Sequence, residues 1–416
     1  MAQQAYIMAD LLIDGLGATI RNAVIEITDK TISKIGNPEE VKVPDKAATY
    51  RTAVAMPGLW DCHTHFFGGK NTDMLQWMEE PTSLRAIRST VSVKRLIEAG
   101  FTSVRDVGGP YGLRLKKAIN EGSIPGPNVY AANKFISQTA GHGDNHPTYL
   151  EWQEMHHVDW SARLADGVDE CRKATREQIR EGADLIKIFV TGGVFSHIDD
   201  PHQSHFSNEE LRAIIEEASR FDLPTSAHAH GLRGINAGVD AGITTIEHGS
   251  YIDEKTADKL VEKNVILVPT LTVGRVMLKN VKSLPESMQA KAELTFKDAM
   301  ENVRIAIRRG VKVATGSDLL GILGPYQHGN INASELVYLA EAGLSPMQAI
   351  QAATSVGPQT LGKRAPNSGM LSPGKDADIL CLNKNPLDNL ATLQERMNIA
   401  MVFKGGKLVV RNGVAI

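Results

Sequence analysis

Val54-Ala55-Met56-Pro57-Gly58-Leu59-Trp60, followed by Asp61-Cys62-His63-Thr64-His65, is the stretch of this 416-residue chain on which its fold turns. An apolar run with β-branched members reads as a strand, and the polar residues after it read as the loop at its carboxyl end. The unit recurs at Thr102 to Asp106, Asn128 to Ala132, Leu185 to Val190, Pro224 to His228, Ile243 to Glu247, Val265 to Thr270 and Val311 to Ala314. A mean spacing of about 37 residues leaves room for a strand, a helix and two loops per repeat. Helical patterns fill the gaps. Ser207 and Glu210 make a capping box ahead of the stripe Leu211, Ile214, Ile215 and Ala218, and Asp253 to Lys263 and Phe296 to Arg309 are similar. Eight parallel strands alternating with helices predict an α/β fold, a (β/α)8 TIM barrel, whose active site lies at the carboxyl ends of the strands.

Both ends of the chain read differently. Leu11 to Asp14, Ala23 to Thr28 and Thr31 to Ile35 alternate like short strands, with turns at Gly15, Gly17 and Gly36. Ala377 to Leu382, Ala400 to Phe403 and Lys407 to Arg411 do the same around the Gly405-Gly406 turn. The expectation is a small β-sandwich domain built from residues 1–55 and 366–416, flanking a catalytic barrel over residues 56–365.

Composition narrows the partners. Hydrophobic residues at 42% and charged residues at 22% describe an ordinary globular protein. With 45 Lys+Arg against 48 Asp+Glu, the formal charge of −3 leaves no basic surplus for nucleic acid or anionic lipid. Cys62, Cys171 and Cys381 are odd in number and in no CxxC spacing, which argues against disulfides or a thiolate zinc site. No apolar run reaches the ~18 residues of a membrane span, and Met1 to Asp10 lacks a signal-peptide pattern, so a cytoplasmic protein is expected. The oddity is histidine, thirteen of them, several at the ends of apolar runs.

Those strand ends carry the chemistry. His63 and His65 lie two apart in a strand, on one face and about 6.6 Å apart at Cα, a spacing that suits one metal. Cys62 points the other way and reads as a small buried residue. The fifth run ends in Ala227-His228-Ala229-His230, the sixth in Glu247-His248-Gly249 and the eighth leads into Thr315-Gly316-Ser317-Asp318. Histidines at three strand ends and a carboxylate at a fourth converge on one mouth, a donor set for zinc or a similar divalent ion. Lys187 sits inside the apolar fourth run, where burial favours the neutral amine. A neutral amine can form a Schiff base or take up carbon dioxide as a carbamate; nearby histidines and an aspartate favour the carbamate.

These motifs resemble the amidohydrolase superfamily. His63-x-His65, Lys187, His228, His248 and Asp318 fall in that family's order on strands one, four, five, six and eight, and Gly374-Lys375-Asp376-Ala377-Asp378 is similar to its terminal β domain. The segments Met56 to His63, Ser137 to Asp144, Gly192-Gly193-Val194 and Ala227 to Gly231 resemble the imidazolonepropionase-related branch of prolidases, Xaa-Arg/Lys carboxypeptidases and fungal ochratoxinase. Prolidases of that branch carry tyrosine where this chain has His230, which weighs against a strict Xaa-Pro preference.

The resemblance implies a binuclear centre with two divalent ions, zinc the first choice. His63, His65 and Asp318 would hold one ion and His228 and His248 the other, bridged by carboxylated Lys187. Asp318 would be the catalytic base turned acid, and His142 and His230 would hydrogen-bond a substrate carboxylate. The implied reaction is hydrolysis of the amide to a C-terminal amino acid in dipeptides or N-acyl amino acids, ochratoxin A among them, by a homo-oligomer, octameric in relatives. Competing readings are a deaminase, an imidazolonepropionase-like ring opening, or a non-catalytic barrel subunit. Deaminases of this fold use one metal without the lysine, and non-catalytic relatives lose ligands, whereas all six positions are filled here. Residues 68–82 and 142–166 are expected to shape the pocket, and His197, His202, His205 and His328 lie on loops near it.

Overall fold

A computed structural model of the chain describes residues 4–70, 77, 79–144, 148, 149, 151, 161–321, 324 and 327–416. Much of the two loops expected to shape the pocket, 71–76, 78, 145–147, 150 and 152–160, lies outside the described residues. The chain opens with β1 (Gln4–Ile13), β2 (Thr19–Thr28), β3 (Thr31–Gly36) and β4 (Ala48–Pro57). β1 pairs antiparallel with β2 and parallel with β4.

The barrel follows as β5 (Leu59–Gly69), β6 (Phe101–Asp106), β7 (Asn128–Ala131), β8 (Phe135–Ser137), β9 (Ala162–Leu164), β10 (Ile186–Phe189), β11 (Thr225–Ala229), β12 (Thr245–His248), β13 (Ile266–Val268) and β14 (Leu319–Gly321). Two parallel sheets result, ordered β14-β5-β6-β7 and β13-β12-β11-β10-β8-β9. Backbone hydrogen bonds join them into one ring. Asp184 N–H donates to Ala131 on one side; on the other, Ala314 N–H donates to Leu267 and Cys62 N–H to Thr315. The helices pack outside, and Ile186, Ile188, Leu211, Ile214, Ile235 and Leu260 are fully buried between strands and helices. Ser207 caps the helix Asn208–Ser219 in the expected capping box with Glu210.

The C-terminal strands β15 (Ile379–Leu382), β16 (Ile399–Lys404), β17 (Lys407–Arg411) and β18 (Val414–Ala415) return to the first sheet. β15 lies antiparallel to β4, Leu382 opposite Val54 and Ile379 opposite Pro57, giving the order β18-β17-β16-β15-β4-β1-β2-β3. The layers of the sandwich are thus one continuous sheet that folds back on itself, Ile32 exchanging backbone hydrogen bonds with Gly374 and Lys375. Ile7, Leu12, Ile25, Ile27, Ile379 and Phe403 fill its interior.

Four details depart from the sequence reading. The run Val54 to Trp60 is split: β4 stays in the terminal sheet, and Gly58 separates it from β5, because Pro57 has no N–H to continue a ladder. The eighth run forms only an isolated bridge, Val313 with Leu267, and the regular strand beside β5 comes later, as β14. Phe296 belongs to the helix Glu286–Lys297, separated at Asp298 from Ala299–Arg308. Strands β8, β9 and β18 are too short for a two-residue alternation to register. Among the described residues no helix is long and apolar enough to cross a membrane.

Candidate metal centre

His63 and His65 project from β5, and both are buried. His63 donates its Nδ1–H to Glu247 at 2.8 Å, and His65 donates its Nδ1–H to the Gly108 carbonyl at 2.6 Å. In each ring Nε2 is then the lone-pair atom, and both Nε2 atoms stand 3.4 Å from the same oxygen of Asp318. Three electron-rich atoms around one point repel one another unless a cation lies between them, so the arrangement fits a divalent metal.

Asp318 reaches that point because its loop is tied to the first barrel strand. Asp318 N–H donates to the His63 carbonyl at 2.8 Å. The buried Asp61 carboxylate accepts from Ser317 N–H, Ser317 Oγ and Asn332 Nδ2. A side chain on Gly316 would collide with the His63 Cβ at 2.7 Å, so only glycine permits this approach.

The remaining histidines follow the same rule, with the outer nitrogen tied and the other directed inward. His228 Nε2–H donates to the Gly192 carbonyl at 3.2 Å, His248 Nδ1 bonds the Thr270 hydroxyl at 2.7 Å and His230 Nδ1 bonds Ser250 at 2.7 Å. His142 Nδ1–H donates to buried Asp199 at 2.9 Å. Two overlapping triads share His248: His63, His248 and Asp318, and His228, His230 and His248. In each, the possible ligand atoms lie within 4.8 Å of one another. His230 therefore stands within this cluster, its ring stacked on His248 at 4.8 Å. His142 stacks on His228 at 4.5 Å.

Electrostatics keep these groups in ligand form. Burial, then the Lys187 charge, lowers His63 to about 4; burial and His142 lower His230 to about 3, and burial holds His228 and His248 well below the usual range. Burial also brings Lys187 down to about 8, against the pull of Glu247 and Asp318, so its neutral amine is accessible near physiological pH. Burial raises the Asp318 carboxyl, but His63 and His65 outweigh it and hold it below its ordinary value. Backbone strain collects here too. His248, Thr270 and Asp318 take φ of 72°, 53° and 55°, left-handed conformations that cost roughly 1–3 kcal/mol each in non-glycine residues.

His63, His65, His142, Lys187, His228, His230, His248 and Asp318 all line one cavity of about 140 Å³. Its other wall is aromatic and apolar: Phe67, Trp77, Phe135, Phe189, Phe195 and Phe296, with Val194, Met277 and Leu320. His197, His202, His205 and His328 are not among its lining residues. His197 and His202 are exposed, whereas His205 and His328 are buried, His328 Nε2 bonding the His65 carbonyl at 3.1 Å. Cys62 packs away from the cavity with Trp60, Val268 and Ala314, its thiol pushed up to about 12 by burial.

Sequence reasoning passed over Glu247 as a strand end, and Arg105 altogether. Glu247 is fully buried and accepts from His63, Arg105 Nη2 (2.6 Å), Ser226 and Thr245. A charge inside an apolar run, the signal that singled out Lys187, would have found both. Asp199 gives no such signal, since it lies in a polar loop.

The sequence signature of the amidohydrolase family matches residues 54–409. Ochratoxinase from Aspergillus niger is 38% identical over 447 aligned positions, covering 99% of this chain and 88% of the relative. The crystal structure of A. niger ochratoxinase superposes with a TM-score of 0.93 at 37% identity, covering 100% of this chain and 97% of that one. A prolidase complexed with N-methylphosphonate-L-proline gives 0.90 at 30% identity, over 98% and 100% of the two chains. A Xaa-Pro dipeptidase with methionine in its active site gives 0.85 at 30%, over 97% and 99%.

Proposed function

Since the chain belongs to the amidohydrolase family and is a hydrolase of C–N bonds, we propose that it cleaves the amide joining an apolar or aromatic acyl group to a C-terminal amino acid. The observation that carries this reading is the convergence of His63 Nε2, His65 Nε2 and Asp318 at the floor of an aromatic-walled cavity. Amidohydrolases generally use divalent metals. Here His63, His65 and Asp318 would hold one ion, zinc the first choice, and His228 and His248 a second, with Lys187 as a carbamate between them. Bound there, the metals would acidify a water and polarise the scissile carbonyl.

The chain's own residues do the rest. Asp318, whose carboxyl is held below its ordinary value, takes the proton of the attacking water and hands it to the departing nitrogen. His142, paired through Nδ1–H with Asp199, and His230, whose Nδ1 can accept from the Ser250 hydroxyl and leave Nε2–H free, face the cavity and would receive the substrate carboxylate. Phe67, Trp77, Phe189 and Phe296 exclude water and supply the apolar surface that binds a bulky group. The cavity is proposed to take a small peptide-like molecule.

A screen of dipeptides and N-acyl amino acids, ochratoxin A included, with detection of the released amino acid, tests the proposal. Substrates with aromatic acyl groups and a free terminal carboxylate are expected to be cleaved best. Equal kcat/KM for the same compound with its carboxylate blocked as an amide would remove the carboxylate-anchoring role of His142 and His230.

A further inference from the structure

Thr270 lies two residues beyond β13 and immediately before the helix Leu271–Lys279, yet it does not behave as a helix cap. A capping threonine has an extended backbone, and its hydroxyl accepts from an amide of the first turn. Thr270 instead has φ 53° and ψ 42°, and its side chain makes no capping bond. A β-branched side chain is poorly suited to the left-handed region, where glycine would sit without strain.

The first amides of the helix are satisfied from elsewhere. Glu335, fully buried on the helix Ser334–Glu341, accepts from Leu271 N–H at 2.9 Å, Thr272 N–H at 2.7 Å and the Thr272 hydroxyl at 2.7 Å. Relieved of capping, the Thr270 hydroxyl turns to His248 Nδ1 at 2.7 Å. His248 also has a strained backbone, with φ 72°, and its ring packs against His63, His228 and His230 at centroid distances of 5.1, 4.6 and 4.8 Å. Rotation or a change of tautomer in that one ring would disturb every neighbour. The hydroxyl can donate to Nδ1 or accept from it, and either way the bond holds the ring at one angle with Nε2 left free for a ligand.

We propose that Thr270 is a positioning residue: it occupies a backbone conformation suited to glycine in order to fix the angle of the His248 ring, while Glu335 takes over the helix cap. The inference rests on the metal-centre reading above. Thr270 touches no reacting atom and acts only through the imidazole.

Thr270→Ser, Thr270→Val and Thr270→Gly separate the hydroxyl from the strain. Each variant and the wild type are loaded with zinc and challenged with graded chelator, and the melting midpoint of each fully chelated protein is measured. Serine should retain zinc like wild type. Valine, which keeps the strain without the hydroxyl, and glycine, which removes both, should lose about 10–100-fold in retention. Chelated Thr270→Gly should melt at or above the wild-type temperature, so that stability and metal retention move apart. Wild-type retention in the valine variant, or a chelated glycine variant less stable than wild type, overturns the proposal. A wild-type protein that never holds zinc would instead overturn the metal-centre reading on which it rests.

Discussion

Glu247 on the sixth barrel strand accepts the Nδ1–H of His63 on the first, 2.8 Å away and fully out of solvent. The same carboxylate balances the buried Arg105 guanidinium, so one residue both orients a candidate ligand and neutralises a charge. Glu247→Gln keeps the shape and loses the charge. Stability should fall by about 3–5 kcal/mol because Arg105 is left uncompensated, and metal retention should fall about 10–100-fold because His63 loses its anionic partner. Denaturant unfolding and a chelator challenge check both, and wild-type values in either would exclude the dual role.

Lys187→Met removes the one buried amine that lines the cavity among the described residues and fills its space with an apolar side chain of similar length. Activity should disappear and bound metal should drop, read by elemental analysis after dialysis. Full metal content together with normal turnover would reject the carbamate bridge.

Asp318→Asn leaves His63 and His65 with a neutral oxygen partner. Metal should remain largely bound while kcat falls by about 10²–10⁴, the usual contribution of a positioned proton carrier. Near-normal turnover would exclude Asp318 from proton transfer.

The metal-free protein should be acid-sensitive. Buried neutral histidines such as His63, lowered to about 4, and His230, lowered to about 3, return to about 6.5 when the chain unfolds. The unfolded chain takes up those protons first. The stability tied to neutral rings is therefore complete above about pH 6.5 and is lost as pH falls toward about 4. At pH 5 each such ring costs on the order of 2 kcal/mol. The melting midpoint of chelated protein should drop clearly between pH 7 and pH 5, and a flat profile would contradict these depressed values.

Much of this was legible in the sequence because both fold and site are written at strand ends. His63, His65, His228, His248 and Asp318 each close an apolar run or lead on from one, and a parallel barrel brings all such positions to one mouth. Lys187 was visible as a charge among apolar neighbours. What the sequence did not disclose depends on contacts between distant strands. Glu247 and Arg105 carry the same sequence signal as Lys187, a charge inside a strand run, but that they pair with each other at 2.6 Å is set only by the ring. The aromatic wall assembles Phe67, Trp77, Phe135, Phe189, Phe195 and Phe296 from widely separated segments of a chain that is only 5% aromatic. The boundary between terminal sheet and barrel was hidden because Val54 to Trp60 is equally apolar on both sides of Gly58, and only the missing Pro57 donor separates the two strands.

The pairing of β4 with β15 also governs how this protein is made. β4 presents one edge to β1 and the other to a strand encoded about 320 residues later, a long-range closure of the kind that slows folding. At ordinary synthesis rates the N-terminal strands wait tens of seconds with that edge unpaired. The face they offer also packs against the barrel: Ile13, Val54 and Met56 share one core with Leu96, Phe101, Leu380 and Val402. A ribosome-bound chain that ends before Ile379 therefore carries an open, sticky ribbon beside a half-supported barrel, so shortened versions should reach the cell's quality-control machinery before they form a catalyst.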